Sequence, residues 1–153
     1  MNNSAFQKIR FHYLAKPFYF PHRTALKSFL LSQLEEEGRQ VDALNYIFCD
    51  DAYLHQINQA YLKHDSYTDI ITFELSEKDQ PLLSDIYISL ERIKENASSF
   101  SISSLIELHR VIFHGALHLC GYKDKSHAQK KVMRERENLW LSLFIVSRGK
   151  NDR

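Results

Sequence analysis

The segment from Ser104 to about Leu119 reads as one long apolar helix, and within it His114 and His118 stand four residues apart. That spacing projects both imidazoles from one face, about one turn apart, a geometry suited to a divalent metal. Just past the helix, Gly121 offers a C-terminal turn that only glycine adopts cheaply, and Asp124 follows three residues later, so the string is HxxxHxxGxxD. Helix, glycine turn and returning ligand together can close a three-ligand site with a position left open for water, the arrangement catalytic zinc uses. Asp124 and His127 are both reachable after the turn. Imidazole is the more usual zinc ligand, carboxylate is equally acceptable and better for harder metals, and the spacing after the glycine favours Asp124. The competing explanation is a buried histidine pair bonded to its neighbours, which needs neither the glycine turn nor the acid. His109, five residues before His114, is turned to a different face, and Cys120 reads as a small core residue rather than a thiolate ligand.

The remaining segments supply a sheet to go with this helix. Ile9 to Leu14 alternates apolar and polar residues as a short strand does, and Thr24 to Leu31 has helical spacing in a helix that Gly38 stops. Ala43 to Cys49 is a strand by its aromatic and branched content, and Asp50 or Asp51 can cap the helix that follows with Tyr53, Leu54, Ile57 and Tyr61. Ile70 to Leu75 and Asp85 to Leu90 are two further strands, joined by a polar connection short enough for an antiparallel hairpin. From about Arg92 the pattern is helical: a short segment to Ala97, the long helix, and a last amphipathic helix from about Ser126 to Val146. The expected architecture is an α/β (α+β) domain over residues 1–153, with a single mixed four-stranded sheet, about five helices, and the metal site at the end of the long helix. No internal repeat or linker interrupts it.

A chain of 153 residues, 44% hydrophobic, buries roughly 70% of its unfolded surface and builds a core without a structural metal, so a metal would be there for chemistry. The longest apolar stretches, such as Leu139 to Val146, fall well short of the ~20 residues that span a bilayer, and the N-terminus lacks the apolar core of a signal peptide. Cys49 and Cys120 lie far apart, which fits a reducing compartment, and the expected location is the cytoplasm. The net charge of +1 conceals an asymmetry: residues 1–32 carry five Lys/Arg and no acid, residues 121–153 carry nine against four acids, and the middle holds six against fifteen acids. Basic ends are compatible with a face that meets phosphates, and equally with solvated helix surfaces.

With these residues in hand, the chain resembles the YbeY family, bacterial metal-dependent endoribonucleases also described as ribosomal RNA maturation factors. The family's segment HGxLHLxGYDH is matched by His114-Gly-Ala-Leu-His118-Leu-Cys-Gly121-Tyr122-Lys-Asp124, its LNxxYRxxDxPTDVLSF by Ile57 to Phe73, and its GDIxIS by Ser84 to Ser89. The resemblance implies a single-strand-specific endoribonuclease of ribosomal RNA processing and ribosome biogenesis. One divalent metal, expected to be Zn2+, would be held by His114, His118 and Asp124, which act catalytically through a metal-activated water. Small-subunit ribosomal RNA or its precursor is the implied partner, with ribosomal proteins beside it and no membrane.

Two departures stand out. The family's third histidine falls at Asp124, and its arginine after the tyrosine falls at Leu62, leaving Lys63, His64 or Arg110 to take over the charge that meets the substrate phosphate. Asp69 and Asp85, each at the start of a strand, read either as turn-forming residues or as carboxylates supporting a ligand histidine. A ribosome-assembly factor that binds RNA or protein around a structural metal is the rival reading. A metallopeptidase is disfavoured, because Gly115 stands where such enzymes carry their general-base glutamate.

Overall fold

The computed structural model describes residues 3–14, 18–62 and 68–151. Its centre is a four-stranded sheet of β1 (Ile9–Tyr13), β2 (Val41–Cys49), β3 (Ile70–Glu74) and β4 (Leu82–Ser89) in the order β1-β2-β4-β3. β1, β2 and β4 run parallel, and β3 is antiparallel to β4, as its hairpin connection requires. Among the described residues six helices accompany it: α1 (Asn3–Lys8), α2 (Arg23–Glu36), α3 (Asp51–Leu62), α4 (Leu90–Phe100), α5 (Ser104–Leu119) and α6 (His127–Asn151).

Strand alternation divides the two faces. Leu44, Tyr46, Phe48, Ile86 and Ile88 are fully buried on one face beneath α5, and behind α5 an aromatic cluster of Phe29, Phe113, Trp140 and Phe144 joins it to α2 and α6. On the other face Cys49 and Ile71 pack with Leu54 and Ile57 of α3. α5 lies very close to the sheet: a Cβ at Gly115 would come within 2.9 Å of Ile70 Cδ1 and 3.0 Å of Ile86 Cδ1. The Tyr46 hydroxyl, buried in the same layer, donates to the carbonyl of Ile112 at 2.9 Å. The helix that carries both histidines is thereby fixed to the sheet.

The ends of α5 follow from local chemistry. Ser103 Oγ accepts from the Ile106 N–H at its start. At its end, Gly121 N–H donates to His118 O and Tyr122 N–H to Leu117 O, with Gly121 at φ +98°, the paired closure of a Schellman turn. Asp50 caps α3 through its carboxylate, which accepts from the Tyr53 N–H at 2.8 Å.

Differences from the expected elements have physical causes. The sixth helix, α1, is a six-residue segment with too little sequence to show a period. α4 is longer at both ends than Arg92 to Ala97, because Ser89 caps it from outside and it runs to a left-handed Ser101. β4 begins at Leu82 rather than Asp85; the consecutive leucines 82 and 83 hide the alternation there. β2 begins at Val41, ahead of a bulge between Val41 and Ala43.

Candidate metal centre

His114 and His118 project from the last turns of α5, their ring centroids 4.5 Å apart and nearly perpendicular. The Schellman turn reverses the chain and returns Asp124 over them. Asp124 Oδ2 lies 3.2 Å from His114 Nε2 and 3.3 Å from His118 Nε2, and the two Nε2 atoms are 3.0 Å apart. Among the described residues these three form the group whose donor atoms converge closely enough to hold a metal ion.

The hydrogen bonds behind the rings assign the tautomers of the neutral imidazoles. His118 Nδ1 lies 2.9 Å from the Tyr122 carbonyl, which can only accept, so Nδ1 carries the hydrogen and Nε2 is a lone pair. His114 Nδ1 lies 2.6 Å from Glu137 Oε2, a carboxylate 4% exposed, and the same logic leaves its Nε2 bare. Two lone pairs and a carboxylate oxygen therefore face one another at 3.0–3.3 Å. A single proton would satisfy one of these pairs; a divalent cation satisfies all three. Ligands bonded at 2.0–2.1 Å in a tetrahedron stand about 3.3–3.4 Å apart, so the triangle fits zinc with little movement.

Charge around the site is uneven. Desolvation is the largest single influence on His114 and pushes its imidazole down, but the Glu137 hydrogen bond and the charges of Glu137, Asp124 and Asp69 outweigh it and hold it above the ordinary value. Asp69 is held above the usual carboxylate range by burial, against the opposing pull of His114. Burial, with the nearby charge of Glu37, pushes the Cys120 thiol up to about 12, so it stays protonated and packs against the core.

The other expected site residues are distributed unevenly. Asp69 lines the cleft beside His114 and Asp124, but its carboxylate accepts from Asn96 Nδ2 at 3.2 Å rather than from a ligand ring. Asp85 lies on the opposite face of the sheet, where it accepts from Asn45 Nδ2 at 3.1 Å; the strand period that buries Ile86 beneath α5 turns Asp85 away from it. Arg110 is committed to Asn138 at 3.0 Å, Glu137 at 3.3 Å and Glu107 at 3.8 Å, and its side chain is only 17% exposed. His127 opens α6 in solvent and does not join the converging atoms. There Ser126 Oγ accepts from the Gln129 N–H and Gln129 Oε1 from the Ser126 N–H, a capping box that sets the helix start. Lys63 and His64 lie outside the described residues.

The residue that sequence reasoning passes over is Glu137. Its signal is an acid on the inward stripe of α6, between Met133 and Trp140, both buried. An unsolvated carboxylate in such a stripe requires a partner on the facing helix.

Two depressions meet at His114 and Asp124. One, of about 390 Å³, runs between α5 and α6 past Asn96, Glu107, Lys130 and Arg134; the other, of about 840 Å³, opens over the β3 edge past Asn58, Thr68 and Lys125. A polymer crossing the site has a channel on either side of it.

This is an α+β domain with an open two-imidazole, one-carboxylate group at the end of a buried helix. Residues 21–144 match the family described as Endoribonuclease YbeY, and the chain belongs to that family. It is 50% identical over 124 residues to the Endoribonuclease YbeY of Flavobacterium psychrophilum, covering 81% of this chain and 85% of that one. It is 42% identical over 138 residues to the namesake of Flavobacterium johnsoniae, covering 90% and 98%. The solution structure of TM1509 from Thermotoga maritima superposes with a TM-score of 0.63 at 27% identity, covering 94% of this chain and 93% of that one.

Proposed function

We propose that the protein is a metal-dependent endoribonuclease that cleaves single-stranded RNA in the maturation of ribosomal RNA, in the cytoplasm. The observation that carries this reading is the convergence of His114 Nε2, His118 Nε2 and Asp124 Oδ2 within 3.3 Å of one another, open to the surrounding depressions. His114, His118 and Asp124 would hold a divalent ion, zinc by the fit of the triangle, which would supply Lewis-acid charge at a phosphoryl oxygen and lower the pKa of a bound water. The chain's own residues do the rest. Glu137 and the Tyr122 carbonyl fix both ring tautomers and orientations, and Asp124 adds negative charge that holds the ion. Asp69, tied to Asn96, forms the wall of the channel where substrate lies. Position 115 faces Ile70 and Ile86, so a general base after the first histidine has no place in the cleft, which argues against a peptidase. No helix among the described residues is long and apolar enough to cross a membrane.

The test is cleavage of a ribosomal RNA fragment by purified protein, before and after chelation and zinc return, beside His114→Ala. Metal-dependent cuts confined to unpaired regions, absent from the variant, are expected. Equal cleavage by His114→Ala, with contaminating nuclease excluded, would remove the reading, and RNA binding that survives while cleavage never appears would favour an assembly factor.

A further inference from the structure

We infer that Lys130 and Arg134, on the cleft wall formed by α6, grip the RNA backbone next to the metal centre; this rests on the endoribonuclease reading above. A phosphodiester strand beside the metal centre needs a cation on the cleft wall. Leu62 is apolar, and Arg110, the obvious cation on α5, is held by Glu107, Glu137 and Asn138. Neither is available to a phosphate. The register of α6 supplies the substitute. Glu137 points at His114, and Arg134 and Lys130 stand three and seven residues before it, on the same helical stripe. The stripe that reaches the metal centre therefore carries both cations toward the cleft mouth, and both line the same depression as His114 and Asp124.

The two differ in a useful way. Arg134 is 55% exposed yet anchored at 3.5 Å by Glu137 Oε1, so part of its guanidinium is positioned while the remaining donors face the cleft. Lys130 is exposed and forms no ion pair among the described residues. One turn of helix, about 6 Å along the axis, separates their Cα atoms. A strand threaded between α5 and α6 meets both cations on one side of the reacting phosphate. The same depression also holds four acids, Asp69, Glu107, Asp124 and Glu137, against the three cations Arg110, Lys130 and Arg134, and a divalent ion on the His114, His118 and Asp124 group would bring its balance to the positive side.

The test uses zinc-loaded protein and a short single-stranded 2′-O-methyl oligouridine, checked intact after titration, with fluorescence anisotropy measured between about 50 and 200 mM salt. Each lost phosphate contact lowers the slope of log K against log salt by about 0.7 for a single strand. Lys130→Ala with Arg134→Gln is expected to lower the slope by about 1.4, and Lys130→Ala alone by about half of that. Zinc content should stay at the wild-type level, which separates a lost grip from a lost metal. Arg10→Ala with Lys78→Ala removes the same charge away from the cleft and should leave the slope unchanged. An unchanged slope in the cleft pair, or an equal fall in the control pair, overturns the inference while the wild type still cleaves RNA. A wild type that neither binds nor cleaves overturns the endoribonuclease reading, and this inference with it.

Discussion

Replacing Glu137 by glutamine keeps the shape of the side chain and removes its charge. In the folded protein Glu137 accepts from His114 Nδ1 at 2.6 Å and is approached by Arg110 at 3.3 Å and Arg134 at 3.5 Å. Two consequences can be separated. Glutamine still offers an oxygen to His114, but a neutral amide makes the imidazole a poorer donor of electron density to a metal. Supporting carboxylates of this kind are worth about 10–100-fold in metal affinity, or about 1.4–2.7 kcal/mol. Stability falls separately, because Arg110 loses one of its two carboxylates. Breaking a buried pair costs about 3–5 kcal/mol, and because Arg110 keeps Asn138 and Glu107 the expected loss is smaller, about 1–3 kcal/mol. Competition with a chromophoric zinc chelator reads the first effect, and urea denaturation of metal-free protein reads the second. Zinc affinity within threefold of wild type in a folded Glu137→Gln would refute the argument that the carboxylate sets the His114 ligand.

His109 gives a pH prediction. Burial, with the charges of Arg148 and His22, pushes its imidazole down to about 4 among Phe113 and Phe144. The fold thus holds the neutral ring, its stabilisation is fully present above about pH 6.5, and about 2–3 kcal/mol is lost as pH falls toward 4. Urea midpoints should drop less between pH 7.5 and 4.5 in His109→Leu than in wild type; equal drops would contradict the assignment. At Gly115, alanine gains up to about 1 kcal/mol in helix propensity but its Cβ meets Ile70 Cδ1 and both Cδ1 and Cγ2 of the buried Ile86, so Gly115→Ala should cost up to about 1 kcal/mol. Gly115→Val should cost about 1–3 kcal/mol by thermal denaturation, through overpacking. Tyr46→Phe should cost about 1 kcal/mol for the bond to Ile112, with zinc content unchanged.

The parts of the structure legible from sequence were those governed by short-range chemistry. The antiparallel β3–β4 pair followed from its short connection, and the α5 terminus followed from Gly121, whose φ of +98° makes the glycine necessary. The gathering of Asp124 over the histidines is a local consequence of the same turn. Long-range partners were not legible. Glu137 lies 23 residues beyond His114, and only the packing of α6 on α5 brings the two together. Arg110 looks in sequence like a free cation beside the site, and three partners from two helices show otherwise. Asp85 turned on a single residue of strand register, which decides between the α5 face and the α3 face.

The proposed metal ligands are His114, His118 and Asp124. Elemental analysis of wild type, Asp124→Ala and His127→Ala, purified without chelators, reconstituted with zinc and checked for folding, tests this assignment directly. The geometry predicts close to one zinc ion per chain in wild type and His127→Ala, and a large loss in Asp124→Ala. No bound zinc in reconstituted wild type, or loss in His127→Ala with retention in Asp124→Ala, would contradict it.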